Sequence, residues 1–393
     1  MTKISRTTDM TQGSEMRHII MFSLPLLAGN LLQQTYNIVD TMVVGRYLGD
    51  DALAAVGATG SITYLFYTLC IGLSVGAGII VAQYFGAGKQ KALRSAVFNS
   101  ALVTAIFGIV ISLLSVPAAR PILELLKVPD KLIGDSAAYM QIACGGTIAV
   151  AAYNWINAIM RALGDSKTPL IFLGAASLLN ALLDLLFVVV FKFGIAGAAW
   201  ATVLTQALSA ISCIVYCFAV SGEIKLNADD LHADKDMMSR CVKTGVPIAI
   251  QNGLISVSMV ALQRVTNGFG ETVMAAYTVS MRIEQFVQQP FSSLNAAVST
   301  FTGQNIGAGK EKRAQKGLAC AIKISVIFSA VVLVLFTLFG GAITSWFVKG
   351  KAVISISAKA LIITSLFYWS LGIIHTTRGF LNGAGDTNYA LVN

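Results

Sequence analysis

The stretch Ile324-Ser-Val-Ile-Phe-Ser-Ala-Val-Val-Leu-Val-Leu-Phe-Thr-Leu-Phe339 carries no charged residue. Comparable apolar runs occur at Leu102–Val116 and at Leu182–Val190, the latter broken only by Asp184. A bilayer-spanning helix needs about 20 mostly apolar residues. Extended to their polar flanks, ten segments reach that length: 18–45, 52–85, 92–116, 133–161, 167–191, 195–220, 241–264, 272–306, 314–348 and 352–377, with an eleventh beginning near 387. The composition agrees. Of 393 residues, 55% are hydrophobic and 12% charged, with a mean hydropathy of +0.72. A soluble domain is closer to about a quarter charged. An ordinary soluble enzyme, a disordered tail and a disulfide scaffold are excluded, and an all-α polytopic membrane protein is predicted.

The formal net charge of +9 would suggest nucleic acid in a soluble chain. Here the loops account for it. With the amino terminus placed in the cytoplasm, inside loops collect most of the Lys and Arg, among them Lys89, Lys91, Arg94, Arg161, Lys167, Lys310, Lys312, Arg313 and Lys316. The positive-inside rule then favours a cytoplasmic amino terminus in a plasma (inner) membrane protein, although Arg120, Lys127 and Lys131 lie outside. No nucleic-acid partner is expected. The six cysteines form no CxxC pair and read as small buried hydrophobes. No cleaved signal peptide is evident before Met16.

An internal repeat organises the chain. Gly86-Ala-Gly-Lys89 recurs as Gly307-Ala-Gly-Lys310, and Gly164-Asp165 as Gly385-Asp386. Gly49 matches Gly270, and Ala54-Ala55 matches Ala275-Ala276, always at an offset of 221. The first unit holds six helices, so the second has the same membrane orientation, the parallel arrangement of two-lobed transporters. The expected domains are an amino-terminal lobe over 1–220, a cytoplasmic linker over 221–240 and a carboxyl-terminal lobe over 241–393. By the same offset the second lobe is expected to be incomplete, short by about 50 residues.

The GAGK turns are not phosphate loops. A Walker A pattern needs Ser or Thr after the lysine, and Gln90 and Glu311 stand there. They read as tight turns whose glycines permit positive φ. No HExxH, GxSxG or dinucleotide glycine pattern occurs, so no enzyme and no organic cofactor is expected.

Ionisable residues within apolar helices are the strongest functional signal, because each is costly in lipid. Gly29, Gln33, Tyr36 and Asp40 are spaced four, three and four apart and share one helix face. Asn180 and Asp184 share another, and Thr202 lies in the sixth helix. By helical rise, Asp40, Asp184 and Thr202 fall in the outer half of one lobe and Asn180 near the midplane. Two carboxylates, an amide and a hydroxyl at similar depth suit sodium, a hard cation that favours oxygen ligands, and equally suit a proton. A structural hydrogen-bond cluster is the competing reading. Pro25 interrupts the first helix ladder and could act as a hinge or as a passive kink. Gln33 and Glu284 are candidates for lining a substrate cleft. Arg282 and Glu284 point apart on their helix, and Lys323 and His375 are expected to snorkel toward helix ends.

In order along the chain, Pro25 with Gln33 and Asp40, the two GAGK turns, Arg161-Ala-Leu-Gly-Asp165-Ser-Lys-Thr-Pro169, Asn180-x3-Asp184 and Gly197-Ala-Ala-Trp-Ala-Thr202 resemble the multidrug and toxic compound extrusion (MATE) family from about Met16 to Asn393. The resemblance implies twelve helices in two six-helix lobes. It implies export of organic, often cationic, compounds in exchange for sodium ions or protons. Asp40, Asn180, Asp184 and Thr202 match the family's coupling-ion positions, with Tyr36, Tyr139 and Asn157 in the supporting network. The offset maps Asp40 onto Ala261, which favours coupling through the first lobe. The expectation is a monomeric antiporter in lipid, acting on small organic substrates, with sodium or a proton as its only cofactor. A lipid-linked oligosaccharide flippase of the same plan and a non-transporting fragment are the alternatives.

Overall fold

The computed structural model describes residues 7–220, 222, 224–227 and 230–392. All regular structure among them is helical. The first six spans are α1 (Glu15–Leu48), α2 (Asp50–Gly86), α3 (Gln90–Leu125), the pair α4 (Asp130–Gly145) and α5 (Thr147–Ala162), α6 (Lys167–Asp184) with a π-helical extension Leu185–Val190, and α7 (Gly194–Val220). The second group is α8 (Lys235–Asn267), α9 (Glu271–Gly307), α10 (Glu311–Ser345), the pair α11 (Lys351–Ser365) and α12 (Tyr368–Ala384), and the short α13 (Thr387–Val392).

Two single helices expected at 133–161 and 352–377 are in fact broken. α4 and α5 bend by 44° at Gly146, and α11 and α12 bend by 51° at residues 366–367. The two breaks obey the repeat offset. Hydropathy alone missed them because apolar residues continue through both bends. Six single helices, and both bent pairs if each is one span, are long and apolar enough to cross a bilayer. α1 and α9, at 34 and 37 residues, fall outside that test because they hold much of the polar content. Asn30, Gln33, Gln34, Asn37 and Asp40 lie on α1, and Arg282, Glu284, Gln285, Gln288 and Gln289 on α9. α8 starts at Lys235 rather than 241. Asp234 caps it, accepting from the amides of Asp236 and Met237, and its polar first turns escape a hydropathy reading.

The repeat is visible in side-chain detail. Ser136 Oγ donates to the carbonyl of Ala55 at 3.2 Å, and Ser357 Oγ donates to that of Ala276 at 3.0 Å. In both GAGK turns the lysine amide bonds back five residues, Lys89 to Tyr84 and Lys310 to Asn305. The second glycine takes positive φ, +65° at Gly88 and +71° at Gly309, as the sequence predicts. The first glycine has a different role. A Cβ on Gly86 would collide with the Gln304 carbonyl, and one on Gly307 with the Gln83 carbonyl. These reciprocal contacts join the lobes about a pseudo-two-fold axis.

From this face, that of the amino terminus, the close approach of the lobes continues toward the middle of the helices. A Cβ at Gly76 would lie 2.6 Å from Gly245, and one at Gly72 would lie 2.5 Å from Ala249. Asn30 Nδ2 donates to Ser293 Oγ at 3.1 Å. Residues 8–14, for which the sequence offered no structure, form a strap beneath this face. The Thr8 amide donates to Leu163 O at 3.1 Å and the Met10 amide to Gln304 Oε1 at 2.9 Å. Met10 is fully buried. Gln304 Nε2 continues to Ala162 O at 2.9 Å, so one glutamine from the second lobe holds both the strap and the first lobe. Arg313 donates to the carbonyls of Met10, Gln12 and Gly13 and pairs with Glu15 at 3.2 Å.

Candidate functional site

The polar cluster of the first lobe is built from α1, α2, α4, α6 and α7. α6 places Asn180 and Asp184 one turn apart on its inner face, each only 1% exposed. At Asp184 the α-helix gives way to the π-helical segment, where the Phe191 amide bonds to Leu186 O at 2.8 Å, five residues back. Such π-turns recur at functional sites. Phe187, Phe191 and Phe193 stack beyond it with centroids 5.5–6.1 Å apart, closing the end of the helix.

Across from Asp184 stands Asp40 of α1, its carboxyl within hydrogen-bonding range. Tyr36, one turn earlier, lies beside Thr202 of α7. Tyr139 of α4 lies within electrostatic range of both aspartates, Tyr36 and Tyr67. Tyr67 of α2 was not singled out by the sequence. Its hydroxyl donates to Ala143 O at 3.0 Å, tying the cluster to the turn before the Gly146 bend. A lone tyrosine in an apolar helix carries no spacing signal, which is why sequence reading passed over it.

The electrostatics of the cluster are unbalanced. Both carboxyl oxygens of Asp184 and Oδ1 of Asp40 are buried without a protein donor, and Asn180 Nδ2 lacks an acceptor. A carboxylate only accepts, so two of them hydrogen bond only through a proton that one carries. A buried polar group left unsatisfied costs about 1–3 kcal/mol, and more when charged. A shared proton, or a small cation among these oxygens, would relieve the imbalance. The available ligands for a cation are oxygens of Asp40, Asp184, Asn180 and Thr202.

The other expected residues lie elsewhere. Pro25 sits inside α1 at the end nearer the strap, and Gln33 is half-buried between it and Asp40. Asn157, buried in α5, contacts Tyr153 one turn away. Glu284 is engaged within the second lobe, with the side chains of Thr364 and Tyr368. His375 does not snorkel. Its ring stacks on Phe291 at 6.2 Å, and its carbonyl accepts from Asn295 at 2.8 Å.

Two lobes that repeat each other, sealed at one face and carrying a buried acidic pair in one lobe, define a multi-pass membrane protein of the two-lobed transporter class. The chain belongs to the MatE family, whose model matches residues 25–186 and 247–392. It is 31% identical to the probable multidrug resistance protein YoeA of Bacillus subtilis, covering 98% of this chain and 85% of that one. It is 29% identical to the probable multidrug resistance protein YpnP of the same organism, over 98% and 86%. Among solved structures, an outward-facing multidrug resistance MATE family transporter of the MOP superfamily superposes with a TM-score of 0.91 at 23% identity, over 98% of this chain and 87% of that one. That likeness bears on the fold.

Proposed function

We propose that this chain is a secondary active antiporter that exports small organic compounds, cationic ones included, in exchange for sodium ions or protons. The names of its YoeA and YpnP relatives support drug export. The observation that carries the coupling is the Asp40–Asp184 pair, buried oxygen acceptors facing each other without a protein donor. Binding one cation there, with one carboxyl protonated, neutralises the pair and draws α1 against α6. Because α1 also meets α9 at Asn30–Ser293, a shift of α1 reaches the seal between the lobes. The ion then biases which face is open by binding one arrangement more tightly than the other. Asn180 and Thr202 complete the oxygen set, with Tyr36 and Tyr139 positioning it. The amino terminus and the sealed face are assigned to the cytoplasm of a plasma membrane protein, supported by the basic loops.

The deciding experiment is dye efflux from proteoliposomes under separately imposed sodium and pH gradients. Efflux driven by one of them, and lost in Asp40→Asn and Asp184→Asn with protein yield unchanged, is the expected result. Undiminished gradient-driven efflux in either variant overturns the coupling assignment. Translocation of a lipid-linked oligosaccharide without dye efflux would favour the flippase reading.

A further inference from the structure

Arg161 occupies the last turn of α5. Its side chain, placed among the inside-loop charges by the sequence, lines a cavity between the lobes within the seal. The cavity holds about 100 Å³ and is bounded by α2 at Gly78, by α5 at Ala158 and Arg161, and by α9 at Asn295, Ser299 and Thr300. Its floor is the contact of Gln304 with Ala162. Among the described residues no carboxylate lies within ion-pairing distance of Arg161. A cation at a helix carboxyl end is favoured by the local dipole, which makes the position tolerable without supplying an acceptor.

The hydroxyls opposite are a second, independent observation. Helical serines and threonines in this chain repeatedly donate to a carbonyl three or four residues back, as Ser293 does to Gln289 and Thr376 to Gly372. Ser299 and Thr300 are buried at 9% and 8% exposure and line the cavity. Neither hydroxyl meets a protein acceptor among the described residues. Asn295 turns its amide nitrogen away, to His375 O. Arg161 of the first lobe and the Ser299 and Thr300 hydroxyls of the second thus line one small space, with no carboxylate among its lining residues.

We infer that this cavity is an oxyanion site, in which Arg161, Ser299 and Thr300 hold a carboxylate or a similarly small oxyanion between the lobes. The volume suits an acetate-sized group and is below the roughly 300 Å³ of a cavity for a whole drug-sized ligand. A guanidinium and two hydroxyls match a carboxylate's acceptor geometry. The site draws on both lobes, so it exists only while the face is sealed, and its occupant stabilises that state by mass action. The oxyanion is either free in solution or borne by a compound seated in the cleft above.

The test uses the full-length protein, spin-labelled at Lys89 and Lys310 across the seal, with acetate as probe. Acetate is expected to shift the distance distribution toward the short, sealed population. Arg161→Gln should weaken that response at least about tenfold, the loss of a charge-assisted contact. Arg161→Lys should retain part of it, and Ser299→Ala or Thr300→Val should weaken it with the charge intact. A rhodamine free acid, compared with its ethyl ester, separates the sources. A response to the acid dye alone assigns the oxyanion to the carried compound, and a response to acetate assigns it to solution. The response is read at fixed sodium concentration and pH, so that the acidic pair contributes the same bias with and without acetate and the result stands apart from the coupling reading. An absent response to both anions overturns the assignment, as does an equal response in Arg161→Gln or to the ester.

Discussion

Gly86 rests on the backbone of Gln304, and 221 residues later Gly307 rests on the backbone of Gln83. Neither position tolerates a Cβ without moving one lobe against the other. Gly86→Ala is expected to hold the face ajar, and Gly307→Ala to do the same, because overpacking of this kind costs about 1–3 kcal/mol. Spin-label distances between Lys89 and Lys310 should lengthen in each variant, and export should fall. An unchanged distance would show that the seal lies elsewhere.

Tyr36 of α1 lies beside Thr202 of α7 next to the acidic pair. Thr202→Val keeps the shape and removes the hydroxyl. A net hydrogen bond is worth about 0.5–1.5 kcal/mol, so ion affinity measured from gradient-driven efflux should fall about threefold to tenfold without being abolished. Thr202→Ser should restore it.

Among the contacts that hold the strap beneath the seal, Arg313 and Gln304 supply the most to residues 10–13. Arg313→Ala removes donors to three carbonyls, and Gln304→Ala removes the acceptor of the Met10 amide. Hydrogen exchange at the Met10 amide should quicken at least about tenfold in both variants, the equivalent of about 1.4 kcal/mol. Amides of α3 should be unaffected. Parent-like exchange at Met10 would show that the strap is held by other contacts.

Glu284 engages Thr364 and Tyr368 inside the second lobe. Glu284→Gln should leave the ion dependence of efflux within about twofold of the parent, as expected for distant and independent sites. A change of ion dependence as large as that of Asp40→Asn would assign it to the coupling machinery.

Much of this architecture is legible in the sequence because two signals are strong in lipid. The repeat offset, read from Gly86-Ala-Gly-Lys89 and its copy, anticipates the paired turns, and the bends at 146 and 366–367 obey the same offset. The helical spacing of Tyr36 with Asp40 and of Asn180 with Asp184 places each pair on one face, and the structure brings Asp40 to Asp184. Three features were not legible. The bend at Gly146 falls in an uncharged Gly145-Gly146-Thr147 run between two apolar stretches that read together as one span. The strap was hidden because its anchors, Gln304 and Arg313, stand about 300 residues away in sequence. Gly86 and Gly307 looked like turn residues, since a demand for close approach and a demand for positive φ select the same amino acid.

The second-lobe position corresponding to Asp40 holds Ala261, and the proposed coupling runs through the acidic pair of the first lobe. On the proposed coupling, each cycle then exchanges one ion for one compound. A tenfold gradient of a singly charged ion is worth about 1.4 kcal/mol. For a cargo of the same charge, that gradient supports about tenfold depletion inside and no more. A single coupling site of this kind therefore sets a thermodynamic ceiling, suited to skimming dilute compounds continuously rather than building steep concentration differences.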